Sequence, residues 1–373
     1  MNENELTNQH LVIFRTGCSI LNLNTYNCQE LGLAKALSSK GLKVSLILAG
    51  NKVSADVVDG ITVYRLPFKA INQQLGIFLG YKELLMSLKP SLIQVHDMGI
   101  YMTYAVTKWA SNHKIPCFLI QGNYETTKKP VFKQLESVFN MFCGRYVLKH
   151  VSGIGCKTQM ASRYVQSYLN RKTKMTYIGL DVSKFSNSIN REWKKELNIH
   201  TKKVLLYVGS LEQRRNPLFL LDVLRHLPDD YVLLIAGDGS LKQEVEEKII
   251  SEKISDRCFL LGKLSQAYLP SLYKIADVFL LASNYEIYGM VILEAMYFGV
   301  PVISSYTAGS ESLIDDGKDG FVIESLDVAE WCNAICCAMN NNSMKKNARD
   351  KIENCFVWEK TANQFLELYF RKD

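Results

Sequence analysis

Short apolar runs alternate along the chain with segments whose apolar residues recur at helical spacing. From Leu11 onward the runs are LVIF, KVSLILA, ITVYRL, SLIQVH and PCFLI, separated by segments such as YNCQELGLAKALSS. The alternation begins again after Lys203 with KVLLYVG, YVLLIAG, CFLLGKL, ADVFLLA and VPVIS. Strands that alternate with helices in this way form parallel sheets covered by helices on both faces. The pattern predicts an α/β protein with two Rossmann-like, doubly wound domains facing each other across a cleft.

A polar stretch marks the boundary between the two predicted domains. Near residues 180 to 200 the run MTYIG gives way to DVSKFSNSINREWKKELNIHTKK. We expect a first domain over residues 1–185, joined by a C-terminal helix at about 357–373, and a second domain over residues 186–356. Ligands of open α/β sheets bind beyond the carboxyl ends of the strands. The loops after Phe14, Val95, Val208, Ile235 and Leu281 are therefore the places to look for chemistry.

Composition narrows the class of protein without identifying a function. The 373 residues suit two domains of ordinary size, and 47% apolar with 22% charged residues is typical of a globular protein. A net charge of +7 without dense Lys/Arg clusters suits an anionic ligand or a membrane surface and argues against nucleic acid. Ten cysteines, including the adjacent Cys336 and Cys337, lack C-x-x-C spacing and are interpreted as reduced core residues. The N-terminus has neither a basic start nor an apolar run, which predicts a cytoplasmic protein.

Two carboxylates flank a predicted helix start in the second domain. In SNYEIYGMVILEAMYFGVPVISS, Glu286 ends a polar turn, Gly289 opens a helix, and Glu294 lies about one turn inside it. Free backbone N–H groups around Tyr288 to Val291 and the positive end of the helix dipole suit a diphosphate. If every intervening step were helical, the carboxylates would lie roughly 12 Å apart. The alternative is a pair of solvated glutamates at a helix end.

The motifs around this pair carry a family resemblance. In chain order they are VGSLEQRRNP, IAGDGSL, FLLGKL, LPSLYKIADVFLLASNYEIYG, EAMYFGVPVISS and AGSESLIDDGKDGFV. This order resembles the retaining glycosyltransferases of the two-Rossmann-domain (GT-B) fold, particularly glycosyltransferase family 4, the group 1 glycosyltransferases. The resemblance covers nearly the whole chain and is strongest over residues 203–323.

The resemblance implies a retaining hexosyltransferase that acts in bacterial surface polysaccharide synthesis. Its donor would be a nucleoside-diphosphate sugar, with a UDP sugar favoured over a GDP sugar, bound by the second domain. Its acceptor would be a glycan or a lipid-linked sugar, bound on the side of the first domain. We expect a cytoplasmic enzyme with peripheral contact at the inner-membrane face and no nucleic-acid partner.

Donor contacts in the second domain follow residue by residue from the same resemblance. Glu286 would contact the transferred sugar and Glu294 the ribose hydroxyls, while the amides of Tyr288, Gly289, Met290 and Val291 hold the diphosphate. Arg215, next to Arg214, takes the position of a phosphate-binding basic residue, and its bidentate guanidinium suits a departing pyrophosphate.

Three further positions belong to the expected donor site. A second basic residue, common in the family after Gly209, is replaced here by Ser210, and Leu264 matches a position against the nucleotide base. Without the motif order, Arg214 and Arg215 would be interpreted as a solvated loop pair.

The first strand and loop of the chain contain no G-x-G-x-x-G and no P-loop, which argues against a dehydrogenase or an NTPase. Many family members carry paired glycines here, whereas this chain offers Gly17 for the donor. Its polar neighbours Asn24 and Tyr26, together with Gln121 after a later strand, are the expected acceptor contacts.

His96 ends the strand SLIQVH, at a place that resembles the family's cleft histidine, which contacts the donor sugar. A histidine at a strand end can equally have a structural role. The interpretation favours function because the strand position matches.

The segment PVFKQLESVFNMFCGRYVLKHV mixes apolar and basic residues, a pattern typical of an interfacial helix. Core packing also explains its apolar residues, including Leu135 and Phe142, and is the favoured interpretation. The last segment, VWEKTANQFLELYFRKD, resembles the family's terminal helix, which returns to the first domain.

No D-x-D triplet is present to hold a metal-bound diphosphate, and the acidic pairs Asp229–Asp230 and Asp315–Asp316 are interpreted as turn residues. The sequence therefore predicts metal-independent catalysis without a cofactor.

Two alternatives to a glycosyltransferase stay open. One is a sugar-nucleotide epimerase or phosphorylase on a similar scaffold. The other is a noncatalytic nucleotide-sugar-binding partner, which Ser210 and the unusual first loop would suit.

Overall fold

The computed structural model describes residues 6–23, 28–72, 74–126 and 130–371. The chain divides into two compact units. The first runs to Gly179 and takes in the chain from Trp358 onward, and the second runs from Leu180 to Val357. Each unit contains one large sheet with parallel strands at its centre.

The division falls earlier than the expected boundary at residue 185. Leu180 donates its N–H to the carbonyl of Phe356 at 2.7 Å, which joins the two ends of the second unit. Phe185 then stacks on Tyr297, with ring centroids 5.4 Å apart. These contacts assign residues 180–185 to the second unit, although their polar sequence suggests a linker.

The sheet of the first unit has eight strands in the order β10-β9-β8-β7-β1-β2-β4-β3, and only the β3–β4 pair is antiparallel. A separate antiparallel hairpin is formed by β5 and β6. The strands are β1 His10–Phe14, β2 Lys43–Ala49, β3 Ser54–Val58, β4 Ile61–Leu66, β5 Phe68–Ala70, β6 Gly76–Phe78, β7 Leu92–His96, β8 Cys117–Gln121, β9 Gly153–Cys156 and β10 Lys174–Met175.

In the described part of the first unit, six helices precede the crossing into the second, and a π-helical turn at Asn140–Gly144 separates two of them. They are α1 Gln29–Ser39, α2 Tyr81–Leu88, α3 Tyr101–Asn112, α4 Pro130–Phe139, α5 Arg145–His150 and α6 Gln159–Tyr168.

The sheet of the second unit has six strands, all parallel, in the order β13-β12-β11-β14-β15-β16. Numbered within the unit, this is the doubly wound order 3-2-1-4-5-6 of dinucleotide-binding folds. The strands are β11 Lys203–Val208, β12 Tyr231–Ala236, β13 Cys258–Gly262, β14 Val278–Leu281, β15 Val302–Ser305 and β16 Gly320–Ile323.

The second unit also contains two 3₁₀ turns, at Val182–Phe185 and Gln213–Arg215. Its helices are α7 Trp193–Glu196, α8 Pro217–His226, α9 Lys242–Ser251, α10 Leu269–Ile275, α11 Met290–Tyr297, α12 Ala308–Leu313, α13 Val328–Asn340 and α14 Asn342–Cys355.

The last helix, α15, runs from Trp358 to Phe370 and belongs to the first unit. It packs on α1, where Gly32 leaves room for the indole of Trp358, since a Cβ at this position would overlap the ring. The expectation that the C-terminal segment returns to the first domain is met by this packing.

Apolar residues on both faces of the central strands explain why the sheets form. Every residue of β12 is buried, and Lys203 is the single partly exposed residue of β11. Strands buried on both faces read as continuous apolar runs because helices cover each side of a parallel sheet. The alternation in the sequence therefore specified both sheets.

The ten cysteines are all free thiols, but they do not all lie in the core. Cys18, Cys28 and Cys117 are buried, as the sequence predicts, whereas Cys337 and Cys355 are exposed. The core expectation is wrong for Cys337 because it lies on the outward face of α13.

Candidate active site

The candidate donor site lies where the strand order of the second sheet reverses. Strands β11 and β14 are neighbours, and the chain leaves them toward opposite edges of the sheet. Such a switch point opens a crevice at the carboxyl ends of the strands. The loop after β11 carries Arg214 and Arg215, and the loop after β14 carries Glu286.

Hydrogen bonds between these two loops fix their relative position. Asn216 has a left-handed backbone with φ of 48°, and its side-chain nitrogen donates to the carbonyl of Ala282 at 2.8 Å. The N–H of Asn284 donates to the carbonyl of Arg214, also at 2.8 Å. The arginine loop is therefore tied to the glutamate loop both within the 3₁₀ turn, at Arg214, and directly after it, at Asn216.

Arg215 and Glu286 form an ion pair between Nη1 and Oε1. Their side chains are 16% and 9% exposed, so the pair is largely shielded from solvent. Arg215 Nη1 also lies 3.3 Å from Oγ of Ser283. Its Nε is buried without a hydrogen-bond partner among the described residues. The pair thus places a positively charged guanidinium, whose Nε–H can still donate to a ligand, next to a carboxylate.

Arg214 occupies a different environment from its neighbour. Its side chain is 46% exposed and contacts Glu212 at 3.4 Å, while its Nη1 lies 3.8 Å from Oε1 of Glu286. Burial lowers the pKa of Arg215, and the charge of Arg214 lowers it further. Of the two arginines, Arg215 is the more buried and the one that lies against Glu286, and its expected phosphate contact stays a prediction.

The loop that carries Glu286 is supported from behind by α12. The N–H of Gly309 donates to the carbonyl of Glu286 at 3.3 Å. A Cβ on Gly309 would overlap the backbone of Tyr288, so glycine is required for this close approach. The side chain of Thr307 accepts from the N–H of Ser310 in a capping box, which fixes the start of α12.

Helix α11 begins directly after this loop, as the sequence predicts. Gly289 precedes it with φ of 78°, a left-handed conformation that favours glycine. The N-cap residue Gly289 has no side chain that could accept from the first amides of the helix, those of Met290 and Val291. Backbone N–H groups and the helix dipole together favour an anion at this position.

Glu294 lies buried inside α11 and accepts a hydrogen bond from the hydroxyl of Tyr273, with an O–O distance of 2.9 Å. Burial raises the pKa of Glu294 to about 7, although the Tyr273 hydrogen bond and the charge of Lys184 act in the opposite direction. Burial and the neighbouring carboxyl raise the pKa of Tyr273 well above its usual range. Glu294 therefore titrates near neutrality.

The eight steps between the two carboxylates are not all helical, so the distance of roughly 12 Å for a continuous helix does not apply. The helix begins at Met290, so only the last four steps to Glu294 are helical and together rise about 6 Å. The segment from Glu286 to Gly289 is a loop, because Gly289 turns the chain into the helix.

The remaining donor residues of the second unit lie near the same edge of the sheet. Gly209 and Ser210 follow β11, where the N–H of Gly209 donates to Ala236 at 3.1 Å. The hydroxyl of Tyr207 donates to the carbonyl of Ser210 at 2.8 Å. Leu264 is half-buried and follows β13, two strands away from β11 in the sheet.

His96 lies at the corresponding switch point of the first sheet, between β7 and β1. It is 7% exposed, and its carbonyl accepts a hydrogen bond from the Thr16 hydroxyl at 2.9 Å. Its Nε2 lies 3.0 Å from Nε2 of Gln94, and its Nδ1 lies 3.9 Å from Oε1 of Glu30.

Two basic residues, Arg15 and Lys157, lie near the buried His96 and Glu30 side chains. Nε of Arg15 lies 3.9 Å from Oε1 of Glu30, and Nζ of Lys157 donates to Oε1 of Gln29 at 3.1 Å. Burial lowers the pKa of His96, against the opposing charge of Glu30. Burial by itself raises the pKa of Glu30, but the charges of His96, Lys157 and Arg15 outweigh burial and lower it. At neutral pH the pair is therefore a neutral imidazole beside a carboxylate.

The other expected residues of the first unit differ in their surroundings. Gly17 is half-buried in the loop after β1. Gln121 is 1% exposed and uses its amide on the backbone, accepting from Met98 N–H at 3.0 Å and donating to Asn123 at 2.7 Å. These bonds hold the amide of Gln121 in place, and its expected acceptor contact stays a prediction. Asn24 and Tyr26 lie outside the described residues.

An exposed apolar stripe runs along α4 and the π-helical turn. It consists of Leu135, Val138, Met141 and Phe142, which are 63%, 55%, 54% and 69% exposed. Core packing is therefore wrong for Leu135 and Phe142. The exposed basic residues that flank the stripe are Lys133, Arg145 and Lys149.

No helix within the described ranges is long and apolar enough to cross a membrane. In the same part of the chain, no group of three or more His, Cys, Asp or Glu side chains is placed to hold a metal ion.

Comparison with solved structures defines the fold class. The Anabaena protein Alr3699/HepE in complex with UDP superposes with a TM-score of 0.76 at 16% identity, covering 96% of this chain and 99% of that one. This protein and other structural neighbours have the GT-B fold of glycosyltransferases, so the predicted fold is confirmed.

Sequence comparison finds a family similarity in the second unit. Residues 189–354 match the family model described as "Glycosyl transferases group 1". The match spans the arginine loop, both carboxylates and helices α7 to α13, together with most of α14.

Two curated relatives are similar over part of their length. The "UDP-Gal:alpha-D-GlcNAc-diphosphoundecaprenol alpha-1,3-galactosyltransferase" of Escherichia coli is 32% identical over 203 residues, covering 51% of this chain and 52% of that protein. The "GalNAc-alpha-(1->4)-GalNAc-alpha-(1->3)-diNAcBac-PP-undecaprenol alpha-1,4-N-acetyl-D-galactosaminyltransferase" of Campylobacter jejuni is 28% identical over 239 residues, covering 62% and 61%. The chain thus spans about half the length of the first and three fifths of the second.

Sequence reasoning missed several residues that contact the predicted ones. Tyr273 bonds Glu294, while Glu30 and Gln94 lie against His96. Gln94 was detectable in principle, because a polar residue inside the apolar strand LIQVH needs a buried partner. Tyr273 and Glu30 carry no such signal, since both lie in helices of mixed polarity.

Proposed function

We propose that this chain transfers a sugar from a nucleoside-diphosphate sugar to a lipid-linked acceptor, with retention of the anomeric configuration. The observation that carries the proposal is the shielded Arg215–Glu286 pair beside the N-terminus of α11, at the switch point of a Rossmann-like sheet. A positive charge, free amides and a carboxylate in this arrangement suit a diphosphate joined to a sugar.

Each group of the second unit has a distinct part in the reaction. Arg215 and the amides of Met290 and Val291 bind the diphosphate and stabilise the charge that develops as it leaves. Glu286 orients the transferred sugar and stabilises its oxocarbenium-like transition state. Glu294, oriented by Tyr273, accepts hydrogen bonds from the ribose hydroxyls.

The transfer needs no nucleophile from the enzyme, because the acceptor oxygen attacks the sugar directly. The bond between the anomeric carbon and the phosphate oxygen breaks, and the acceptor oxygen bonds to the same face of that carbon. The acceptor's proton passes to the leaving phosphate, which thereby serves as the base. No side chain of the protein has to change its protonation state during the transfer.

A UDP sugar is the favoured donor. The similar Escherichia coli enzyme is named for UDP-Gal, and the similar Anabaena structure contains UDP. We infer that the reaction needs no divalent metal, because Arg215 and the start of α11 supply positive charge where a metal would otherwise neutralise the diphosphate.

A lipid-linked acceptor and a role in surface polysaccharide synthesis are supported by two observations. Both named relatives act on undecaprenol diphosphate-linked sugars by their descriptions. The stripe formed by Leu135, Val138, Met141 and Phe142 exposes apolar side chains next to basic ones. Such a surface suits the anionic headgroups and acyl chains of a membrane, so we place the enzyme peripherally at the cytoplasmic membrane face.

A thermal-shift panel of UDP, GDP, ADP and their sugar conjugates tests the donor, because a ligand that binds the native state raises its apparent stability. The preferred conjugate is then incubated with undecaprenyl diphosphate-linked GlcNAc and, separately, without acceptor. The proposal predicts release of the nucleoside diphosphate and a lengthened lipid-linked sugar that depends on the acceptor.

Other outcomes would replace the proposal. Conversion of the sugar nucleotide without acceptor would identify an epimerase. Stabilisation by nucleotide sugars without turnover on a panel of lipid-linked and soluble acceptors would identify a binding partner.

A further inference from the structure

The imidazole of His96 is held between two side chains inside the first unit. Gln94 lies on its Nε2 side at 3.0 Å, and Glu30 lies on its Nδ1 side at 3.9 Å. The amide oxygen of Gln94 in turn accepts the hydroxyl hydrogen of Tyr369, which lies on the C-terminal helix α15. Four residues from two helices and a strand thus form one buried polar network.

The contacts of His96 with Glu30 and Gln94 favour one tautomer of its imidazole. A carboxylate favours the proton on the ring nitrogen that faces it, which is Nδ1. Nε2 is then an acceptor and requires an N–H donor, which the amide nitrogen of Gln94 supplies. This orientation leaves the amide oxygen of Gln94 for the hydroxyl of Tyr369, in agreement with the observed contact. With the amide of Gln94 in this orientation and Glu30 facing Nδ1, all three contacts are satisfied by the Nδ1–H tautomer.

The single N–H of His96 remains available to a ligand. At 3.9 Å the Nδ1 to Oε1 separation is too long for a direct hydrogen bond. One oxygen atom placed about 2.8 Å from both would accept from Nδ1–H and donate to the carboxylate. A cavity of about 20 Å³ borders Glu30, Gln94 and His96, which is room for one water-sized group.

We propose that Glu30, Gln94 and Tyr369 are positioning residues that fix His96 as the Nδ1–H tautomer, directed to share a hydroxyl of a sugar substrate with Glu30. The assignment of a sugar to this histidine rests on the proposed function, whereas the tautomer follows from the buried polar network alone. The charged and titratable groups that face the pair are Arg15, Cys28, Asp97, Lys157 and Tyr369. Arg15 and Lys157 compensate the charge of Glu30, so the carboxylate persists beside a neutral ring.

Nuclear magnetic resonance of the full-length protein, labelled with ¹⁵N on its 6 histidines, tests the tautomer without any substrate. The His96 signals are assigned by their loss in His96→Asn. At pH 7 we expect a protonated Nδ1 and an unprotonated Nε2. In Tyr369→Phe the amide of Gln94 loses its orienting partner, and a fraction of Nε2–H should appear.

A matched control lies on the same helix. Glu367→Gln removes an exposed carboxylate that pairs with Lys174 at the surface of α15, and it should leave the His96 signals unchanged. A wild-type Nε2–H tautomer would overturn the proposal, and so would a Tyr369→Phe spectrum identical to that of the wild type.

Kinetics with the donor found by the nucleotide panel test the link to function. Glu30→Gln and His96→Asn should each lower kcat/KM for the nucleotide sugar about 10- to 100-fold and leave the Kd of the free nucleotide unchanged. The double variant should lose less than the product of the two single losses, because Glu30 and His96 hold the same hydroxyl. Losses that multiply in the double variant would show that Glu30 acts independently of His96 and would overturn the proposal.

The two sets of measurements separate the two claims. An Nδ1–H tautomer that responds to Tyr369→Phe, in a protein that turns over no nucleotide sugar, would refute the proposed function and leave the positioning network standing. Turnover with an unresponsive tautomer would refute the positioning network alone.

Discussion

Tyr273 donates its hydroxyl hydrogen to Oε2 of Glu294 across 2.9 Å in the interior of the second unit. The bond uses one oxygen of the carboxyl and leaves the other for a ligand. Because burial raises the pKa of Glu294 to about 7, the charge of this group changes within the physiological range. A ribose-binding carboxylate in this setting makes nucleotide affinity dependent on pH.

The direction of this dependence follows from the raised pKa. Below about pH 7 the carboxyl holds a proton, and above it the ionised form accepts stronger hydrogen bonds from ribose hydroxyls. Affinity for UDP should therefore rise as the pH passes from 6 to 8, as measured by calorimetric titration. Glu294→Gln is the control, since it cannot ionise, while the phosphate of UDP titrates equally in both proteins. Equal pH dependence in the two proteins would remove Glu294 from the nucleotide site.

Arg215 and Arg214 offer a matched pair of adjacent substitutions. Arg215→Lys keeps the charge but loses the guanidinium fork that contacts Glu286 and Ser283. We expect it to lower kcat for the nucleotide sugar roughly 100-fold, because charge on the leaving diphosphate is less well stabilised. Arg214→Lys, at a side chain that is 46% exposed, should change kcat by no more than about threefold. Similar losses in both variants would contradict the assignment of Arg215.

The exposed stripe on α4 predicts membrane binding. Co-sedimentation with phosphatidylglycerol vesicles should be strong for the wild type and weakened by salt, because basic residues flank the stripe. Leu135→Ser with Phe142→Ser should reduce it at least severalfold. Ile250→Ser removes a side chain of the second unit that is 71% exposed and should have no effect. A wild type that stays in the supernatant would refute peripheral attachment through this surface.

Metal independence is tested by chelation. Transfer by the wild type should continue at an unchanged rate in excess EDTA, since Arg215 and the amides at the start of α11 supply the charge that stabilises the diphosphate. Readdition of Mg²⁺ or Mn²⁺ is the control for indirect effects of the chelator. Complete loss in EDTA with recovery on readdition would show that a metal is required.

The fold could be predicted from the sequence because its signals are local. Apolar runs such as those of β11 and β12 are buried on both faces. Their alternation with helices is typical of parallel sheets, which helices cover on each side. The start of α11 was also predictable, because glycine favours the left-handed backbone conformation that Gly289 adopts directly before the helix.

The contacts within the site could not be predicted in the same way. Tyr273 meets Glu294 across 21 positions of the chain, and nothing in the spacing of either helix shows that their side chains converge. Glu30 reaches His96 only because α1 follows the strand next to β7 in the sheet. Likewise, the apolar period of α4 is the same for a helix packed in a core and for one exposed at a surface.

The central claim is that the second unit binds the donor, with Glu294 on the ribose and Glu286 on the transferred sugar. Calorimetric titration of the wild type with UDP, GDP and ADP, followed by the preferred nucleotide with Glu294→Ala and Glu286→Ala, tests it most directly. One nucleotide should bind, with affinity reduced at least about tenfold in Glu294→Ala and little changed in Glu286→Ala, whose defect should appear in turnover. Absence of binding by all three nucleotides, or equal losses of affinity in the two variants, would contradict the account.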